Sequence, residues 1–188
     1  MRVIAGSAKR TQLITPKGME TRPTTDRIKE TLFNILSPCL WEARFLDLFA
    51  GSGGIGIEAL SRGAAEAVFV DQNRESVSCI RENLRRTHLE DRAQVLGTSV
   101  NRAVSGLSAE GHSFDLIFMD PPYRKGLEIA SLKLLRDTCL LHGDTLLILE
   151  MALDDPLGDA DVAGYKVERV AEYKTNRHVF LRPVVGES

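Results

Sequence analysis

The sequence predicts an α/β protein built on a mostly parallel sheet with helices on both faces. Three observations predict it. Between Arg44 and Met151, short continuously apolar runs alternate with helix-prone stretches, the pattern of strands buried on both sides. The first such run ends in a glycine-rich turn that opens directly into a helical segment. Period-two alternation, the mark of a strand with one wet face, appears only near the end of the chain.

The elements follow in order. RVIAG, residues 2–6, reads as a short strand-like run, and 11–25 is polar and turn-rich. TTDRIKETLFNIL then reads as a helix. Thr25 is its expected N-cap, Ile28, Leu32, Phe33, Ile35 and Leu36 form its apolar stripe, and Pro38 is expected to end it. FLDLFA is a strand, GSGG a turn, IGIEALSR a helix and AEAVFVD the next strand. Residues 74–87 form a helix, RAQVLG a strand, NRAVSGLSA a weak helix and FDLIFMD a strand running into Pro-Pro-Tyr. GLEIASLKLLRDTCL is a helix and DTLLILEM a strand. Residues 154–164 are polar, and YKVERVAEYK and RHVFLRP alternate as a closing hairpin with its turn at Thr175-Asn176. The organisation expected is one domain over 1–188: a basic extension and helix (1–40), a cofactor-binding and catalytic core (41–152), and a C-terminal hairpin and tail (153–188).

With 43% hydrophobic and 27% charged residues the composition is that of a soluble globular protein rather than a disordered one. No apolar run approaches the ~20 residues that span a bilayer, and the start has no signal-like apolar stretch, so a cytoplasmic location is the default expectation. Cys39, Cys79 and Cys139 form no paired motif, and His88, His112, His142 and His178 are scattered; buried free thiols and no metal site are expected. The net charge of −2 hides an asymmetry, because residues 1–30 carry seven Lys/Arg against three acids. That segment is therefore +4 and the rest of the chain −6, so a polyanion can be held locally at the N-terminal end. The charges at Arg81, Arg85 and Arg86 read instead as a solvated helix face.

Asp47-Leu48-Phe49-Ala50-Gly51-Ser52-Gly53-Gly54-Ile55-Gly56 leaves the first strand and enters a helix, with glycines where backbone must turn tightly or approach a ligand. Asp71, twenty residues after Gly51 and at the end of the second strand, suits a ribose diol. Gly51, Gly53 and Gly56 also satisfy the dinucleotide pattern, so a nicotinamide cofactor is formally permitted. Asp47 argues against it: a carboxylate before the loop repels pyrophosphate but pairs with the ammonium of S-adenosylmethionine. At the end of the fourth strand stand Asp120, Pro121, Pro122 and Tyr123. An exocyclic amine on a base is a poor nucleophile because its lone pair is delocalised. Asp120 and the Pro121 carbonyl can accept its two N–H groups, the prolines stiffen that turn, and Tyr123 can stack on the base.

These pieces resemble the class I S-adenosylmethionine-dependent methyltransferases that act on exocyclic amines. With R2-VIAG, Lys9-Arg10, Leu13, Pro16 and R22-PTTDRIKETLFNIL-36 ahead of DLFAGSGG, the chain resembles the bacterial 16S ribosomal RNA guanine-N2 methyltransferase family over nearly its whole length. The resemblance implies a Rossmann-like sheet of seven strands whose last strand is antiparallel and lies between the fifth and sixth. It implies a monomer acting on 16S rRNA in an assembled or partly assembled small ribosomal subunit, without membrane partners, releasing S-adenosylhomocysteine. Carried onto this chain, cofactor contacts fall on Asp47, Phe49, Ala50, Gly51, Ser52, Gly53, Asp71 and Gln72, with Arg22, Thr24 and Asp120 beside them. Ser99 or nearby backbone would read the adenine, since no acid follows the third strand. RNA contacts fall on Arg2, Lys9, Arg10, Arg22, Arg27 and Arg124. Lys9 stands where the family commonly has glycine, which leaves the path of that basic turn open. Two rivals remain: an adenine-N6 methyltransferase sharing the Asp-Pro-Pro-Tyr chemistry, and a non-catalytic RNA-binding or ribosome-assembly module.

Overall fold

The computed structural model describes residues 1–16, 26–123 and 125–184. A first helix, α1 (Asp26–Leu40), precedes alternating strands and helices: β1 (Arg44–Asp47), α2 (Gly54–Ser61), β2 (Glu66–Val70), α3 (Arg74–Thr87), β3 (Ala93–Leu96), α4 (Val100–Ala109), β4 (Leu116–Met119), α5 (Leu127–Arg136) and β5 (Leu146–Ala152). The hairpin β6 (Tyr165–Glu172) and β7 (Asn176–Pro183) completes them. The described strands form one sheet in the order β3-β2-β1-β4-β5-β7-β6. β7 runs antiparallel to both of its neighbours and lies between β5 and β6 as expected. This is the class I methyltransferase arrangement.

Continuous apolar strands make sense in this sheet because both faces are covered. Phe45, Ala67, Phe69, Leu116, Phe118 and Ile148 enter one core with α1, α2 and α3. Their immediate neighbours Leu46, Val68, Val70, Ile117, Met119 and Leu149 enter the other, with α4 and α5. Successive side chains point to opposite faces, so every residue of such a strand must be apolar. The chain moves outward from β1 through β2 to β3, then returns past β1 to place β4 on its other side. Strand order therefore reverses between β1 and β4, and the crevice beyond their C-terminal ends is where open α/β sheets bind ligands.

Several local expectations are corrected. Pro38 lies inside α1, which runs on to Leu40: a proline in the last turn forfeits one backbone bond while Leu36 and Leu40 hold the turn by burial. Thr25, the expected N-cap, lies outside the described residues. Residues 2–6 form no strand; only a single bridge joins Arg2 to Gln12. The last helix before β5 stops at Arg136 rather than continuing to Leu140. The β6–β7 turn falls at Lys174-Thr175, closed by the Tyr173 N–H donating to the Asn176 carbonyl, while Asn176 is buried as the first residue of β7. All three cysteines are free, but Cys39 and Cys79 are only half-buried and Cys139 is exposed.

One buried cation escaped the sequence reading. Lys29 is fully buried and pairs with Glu58 at 3.1 Å. Glu58 also accepts the Ile4 and Ala5 N–H groups and Arg62, and Lys29 donates to the Arg2 carbonyl. The pair clamps the N-terminal segment onto α2, so Lys29 contributes no charge to a polyanion surface. No helix among the described residues is long and apolar enough to cross a membrane.

Candidate active site

Asp47 closes β1 and is 1% exposed. Beyond it the Leu48 N–H bonds the Phe118 carbonyl and the Ala50 N–H bonds the Val70 carbonyl, so the turn is sewn to both neighbouring strands. Gly51 (φ 55°) and Gly53 (φ 79°) then take left-handed conformations, Gly53 as the N-cap residue just before α2. A methyl group on Gly51 would meet nothing within 4 Å, so its backbone faces open space, as a cofactor cradle requires. Phe49 is half-buried, and Ser52 and Ala50 are buried beneath the turn.

The loop is held from behind by residues that its motif does not contain. The Asn83 amide of α3, fully buried, donates to the Ser52 carbonyl at 2.9 Å and exchanges two hydrogen bonds with the Ile14 backbone. The Met1 sulfur lies 3.8 Å from the Ser52 hydroxyl. The N-terminal segment is thus a wall of the loop. Asp71 crosslinks it from β2: Oδ2 accepts the Gly51 N–H at 2.9 Å and Oδ1 the Asn73 N–H at 2.8 Å. Each oxygen keeps a lone pair, so the carboxylate is preset to accept a diol as well.

Asp120 follows β4 directly across the crevice from Asp47. Four carboxylates converge here, from four elements: Asp47, Asp120, Glu128 in the first turn of α5, and Glu150 on β5. Burial pushes Asp47 up to about 7, helped by Asp71 and opposed by the Gly56 and Phe49 N–H groups. Asp120 is raised well above 3.8 by loss of water and then by Glu150, Asp47 and Glu128. Asp47 Oδ1 and Glu128 Oε1 are buried without a hydrogen-bond partner. Buried acids repelling one another, with acceptors unused, suit a cation and exclude a diphosphate. The S-adenosylmethionine sulfonium and ammonium fit this donor-poor, acid-rich crevice; a dinucleotide does not. Among the described residues no cluster is arranged to hold a metal.

Pro121 is buried, Pro122 exposed and Tyr123 half-buried, its hydroxyl donating to Glu150 Oε1 at 3.1 Å. Gln72 lines a cleft of about 370 Å³ together with Arg74, Val77, Ser78, Arg81 and Gly97. Arg81, read as solvated, is exposed but belongs to this wall. Ser99 starts α4 half-buried and does not line the cleft. Arg22, Thr24 and Arg124 lie outside the described residues. Arg2 and Arg27 are exposed at the start of α1, where Arg2 pairs with Asp26 at 2.8 Å. Lys9 and Arg10 sit on a turn bonded to Ser61, at the far end of α2 from the glycine loop, about 12 Å along the helix axis. Arg10 (φ 73°) and Gly6 (φ 83°) take the left-handed conformations of that turn and Lys9 does not, so position 9 needs no glycine.

The family model described as "Conserved hypothetical protein 95" matches residues 1–178. The chain belongs to that family. Among similar relatives, "Putative rRNA methyltransferase YlbH" of Bacillus subtilis is 39% identical over 93% of this chain and 98% of its own length. "Ribosomal RNA small subunit methyltransferase D" of Escherichia coli K12 is 38% identical over 84% of this chain and 77% of its own. The solved structure titled "Putative methyltransferase yhhF from Escherichia coli" superposes with a TM-score of 0.84 at 33% identity, covering 97% of both chains. Fold and kinship are those of a class I S-adenosylmethionine-dependent methyltransferase. The structure brings the two sequence motifs, Asp47–Gly56 and Asp120–Tyr123, to neighbouring strand ends on one edge of the sheet. The sequence singled out neither Asn83, Glu128, Glu150 nor His178: Glu150 is a lone acid in an apolar strand, and the other three stand among polar neighbours with no motif around them.

Proposed function

We propose that this chain transfers a methyl group from S-adenosylmethionine to the exocyclic N2 amine of a guanine in 16S rRNA of the small ribosomal subunit. The observation that carries the reading is the pairing of Asp47 and Asp120 across the switch-point crevice, in a chain closely related to a protein named for small-subunit rRNA methylation.

S-adenosylmethionine supplies, when bound, an electrophilic methyl group on a sulfonium. Asp47 holds its ammonium, the Gly51–Gly53 backbone lets it approach, and Asp71 takes the ribose hydroxyls. Gln72 and the cleft around Val77 and Gly97 receive the adenine. Asp120 and the Pro121 carbonyl accept the two N–H groups of the target amine, turning its lone pair toward the methyl carbon, and Tyr123 stacks on the base. Alignment and electrostatics supply the rate, with no covalent enzyme intermediate. Arg2, Lys9, Arg10 and Arg27 hold RNA phosphates.

The test uses small subunits from a strain lacking this gene, incubated with purified protein and labelled cofactor, followed by RNA digestion and nucleoside mass analysis. Label in N2-methylguanosine supports the reading. Label in N6-methyladenosine replaces the target base, and binding without any transfer replaces the enzyme with an assembly module.

A further inference from the structure

Behind Tyr123 lies a buried polar chain that the methyl-transfer reading does not use. Phe118 on β4 pairs with Ile148 on β5, so the next positions on that face are Asp120 and Glu150. Glu150 in turn pairs with His178 on β7. Glu150 is 5% exposed and His178 fully buried. Both carboxylate oxygens of Glu150 are engaged. Oε1 accepts the Tyr123 hydroxyl at 3.1 Å and the Asn176 amide at 2.6 Å, and Oε2 lies 3.0 Å from His178 Nε2. With Nε2 carrying the proton, His178 Nδ1 accepts from the Tyr173 hydroxyl at 3.1 Å. Phe118, Phe180 and Tyr173 meet the imidazole edge-on, with ring centroids 5.0–6.4 Å away, and so confine it.

A buried carboxylate is costly unless every lone pair in use has a donor, and a satisfied network fixes one geometry. Of this network, Tyr123 is the member whose ring can meet a base, while Glu150 stands behind it beside Asp120. The Tyr123 backbone is stiffened by the two prolines before it, and the Glu150 carboxylate fixes the far end of its ring through the hydroxyl. We propose that Glu150, itself held by His178 and Asn176, is a positioning residue that presets the Tyr123 ring for the target base. This rests on the methyltransferase reading above. Ordering the ring before the base arrives removes that cost from the encounter, and a ring displaced by about 1 Å forfeits a large part of the alignment on which amine methylation depends.

The experiment is a double-mutant cycle on Tyr123→Phe and Glu150→Ala, read as kcat/KM for small subunits, with S-adenosylhomocysteine affinity by calorimetry alongside. Tyr123→Phe keeps the stacking ring and removes only the held hydroxyl; kcat/KM is expected to fall about tenfold with cofactor affinity unchanged. Glu150→Ala is expected to fall at least as far, and adding Tyr123→Phe to it should cost no more than a further twofold. Glu150→Gln, which keeps an acceptor for the phenol and lets His178 switch tautomer, should recover part of the activity that Glu150→Ala loses. Independent, multiplying defects in the cycle would overturn the proposal. Unchanged kcat/KM in Tyr123→Phe would overturn it too, and decides the matter if Glu150→Ala does not fold. A wild-type protein that transfers no methyl group fails the functional reading instead, whereas an active wild type with a normal Tyr123→Phe fails this inference alone.

Discussion

Cofactor binding should be linked to the proton on Asp47. Its carboxyl is fully buried, has one unpartnered oxygen and sits at about 7 against an ordinary 3.8. A raised acid in the folded state favours its protonated form. The native protein therefore holds a proton that the unfolded chain has released above pH 3.8, and stability falls as pH rises from about 4 to about 7. Three pKa units correspond to roughly 4 kcal/mol at most. An ammonium docked on Asp47 requires the ionised form. If it returns the bound-state pKa to the ordinary range, apparent affinity follows the ionised fraction of the free protein. That fraction rises from about 0.03 at pH 5.5 to about 0.5 at pH 7, so S-adenosylhomocysteine should bind about fifteenfold tighter at pH 7, or ~1.6 kcal/mol. Isothermal titration calorimetry in buffers of different ionisation enthalpy measures both the affinity and the protons released, which should be near one per site at pH 5.5 and about half at pH 7. Asp47→Asn should bind weakly with no such slope. A pH-independent affinity in the wild type would refute the reasoning, and the same slope in Asp47→Asn would refute it too and shift the titration to Asp120.

Three further outcomes are expected. Asp120→Ala should lose roughly 10²–10³ in kcat while S-adenosylhomocysteine affinity is not weakened, since its target is the substrate amine; calorimetry beside single-turnover kinetics separates the two. Gly56→Ala should destabilise by about 2 kcal/mol despite better helix propensity, because the new methyl would lie 2.3 Å from the buried Phe69 ring; a raised midpoint in thermal or urea unfolding would contradict it. Lys9→Gln and Arg10→Gln should each lower the slope of log affinity for RNA against log salt by about 0.7–0.9, whereas an unchanged slope would mean a merely solvated turn.

What could be read from the chain and what could not follow one physical line. Local order along the backbone is written locally. Parallel strands buried on both faces announce themselves as apolar runs, a tight ligand-facing turn demands glycines, and strand ends placed Asp47, Asp71 and Asp120 on one edge of the sheet. With the family resemblance, even the inserted antiparallel β7 was expected. Pro38 and Asn176 were misplaced because burial of Leu36 and Leu40, and of Asn176 against Glu150, outweighed the local preferences of proline and of turn-forming asparagine. Lys29 looked like one more surface charge, yet its partner Glu58 lies 29 positions away and meets it only where α1 crosses α2. The support behind the site is of the same kind. Asn83 reaches Ser52 across 31 positions, and Glu150 reaches His178 across 28, brought together only by insertion of β7 beside β5. The sequence by itself determined which residues stand at the strand ends that open on the crevice, because the chemistry of glycine, proline and carboxylate there is local. Which buried polar groups hold them in place was decided by tertiary structure alone, because a hydrogen bond between distant strands leaves no periodic trace in either one.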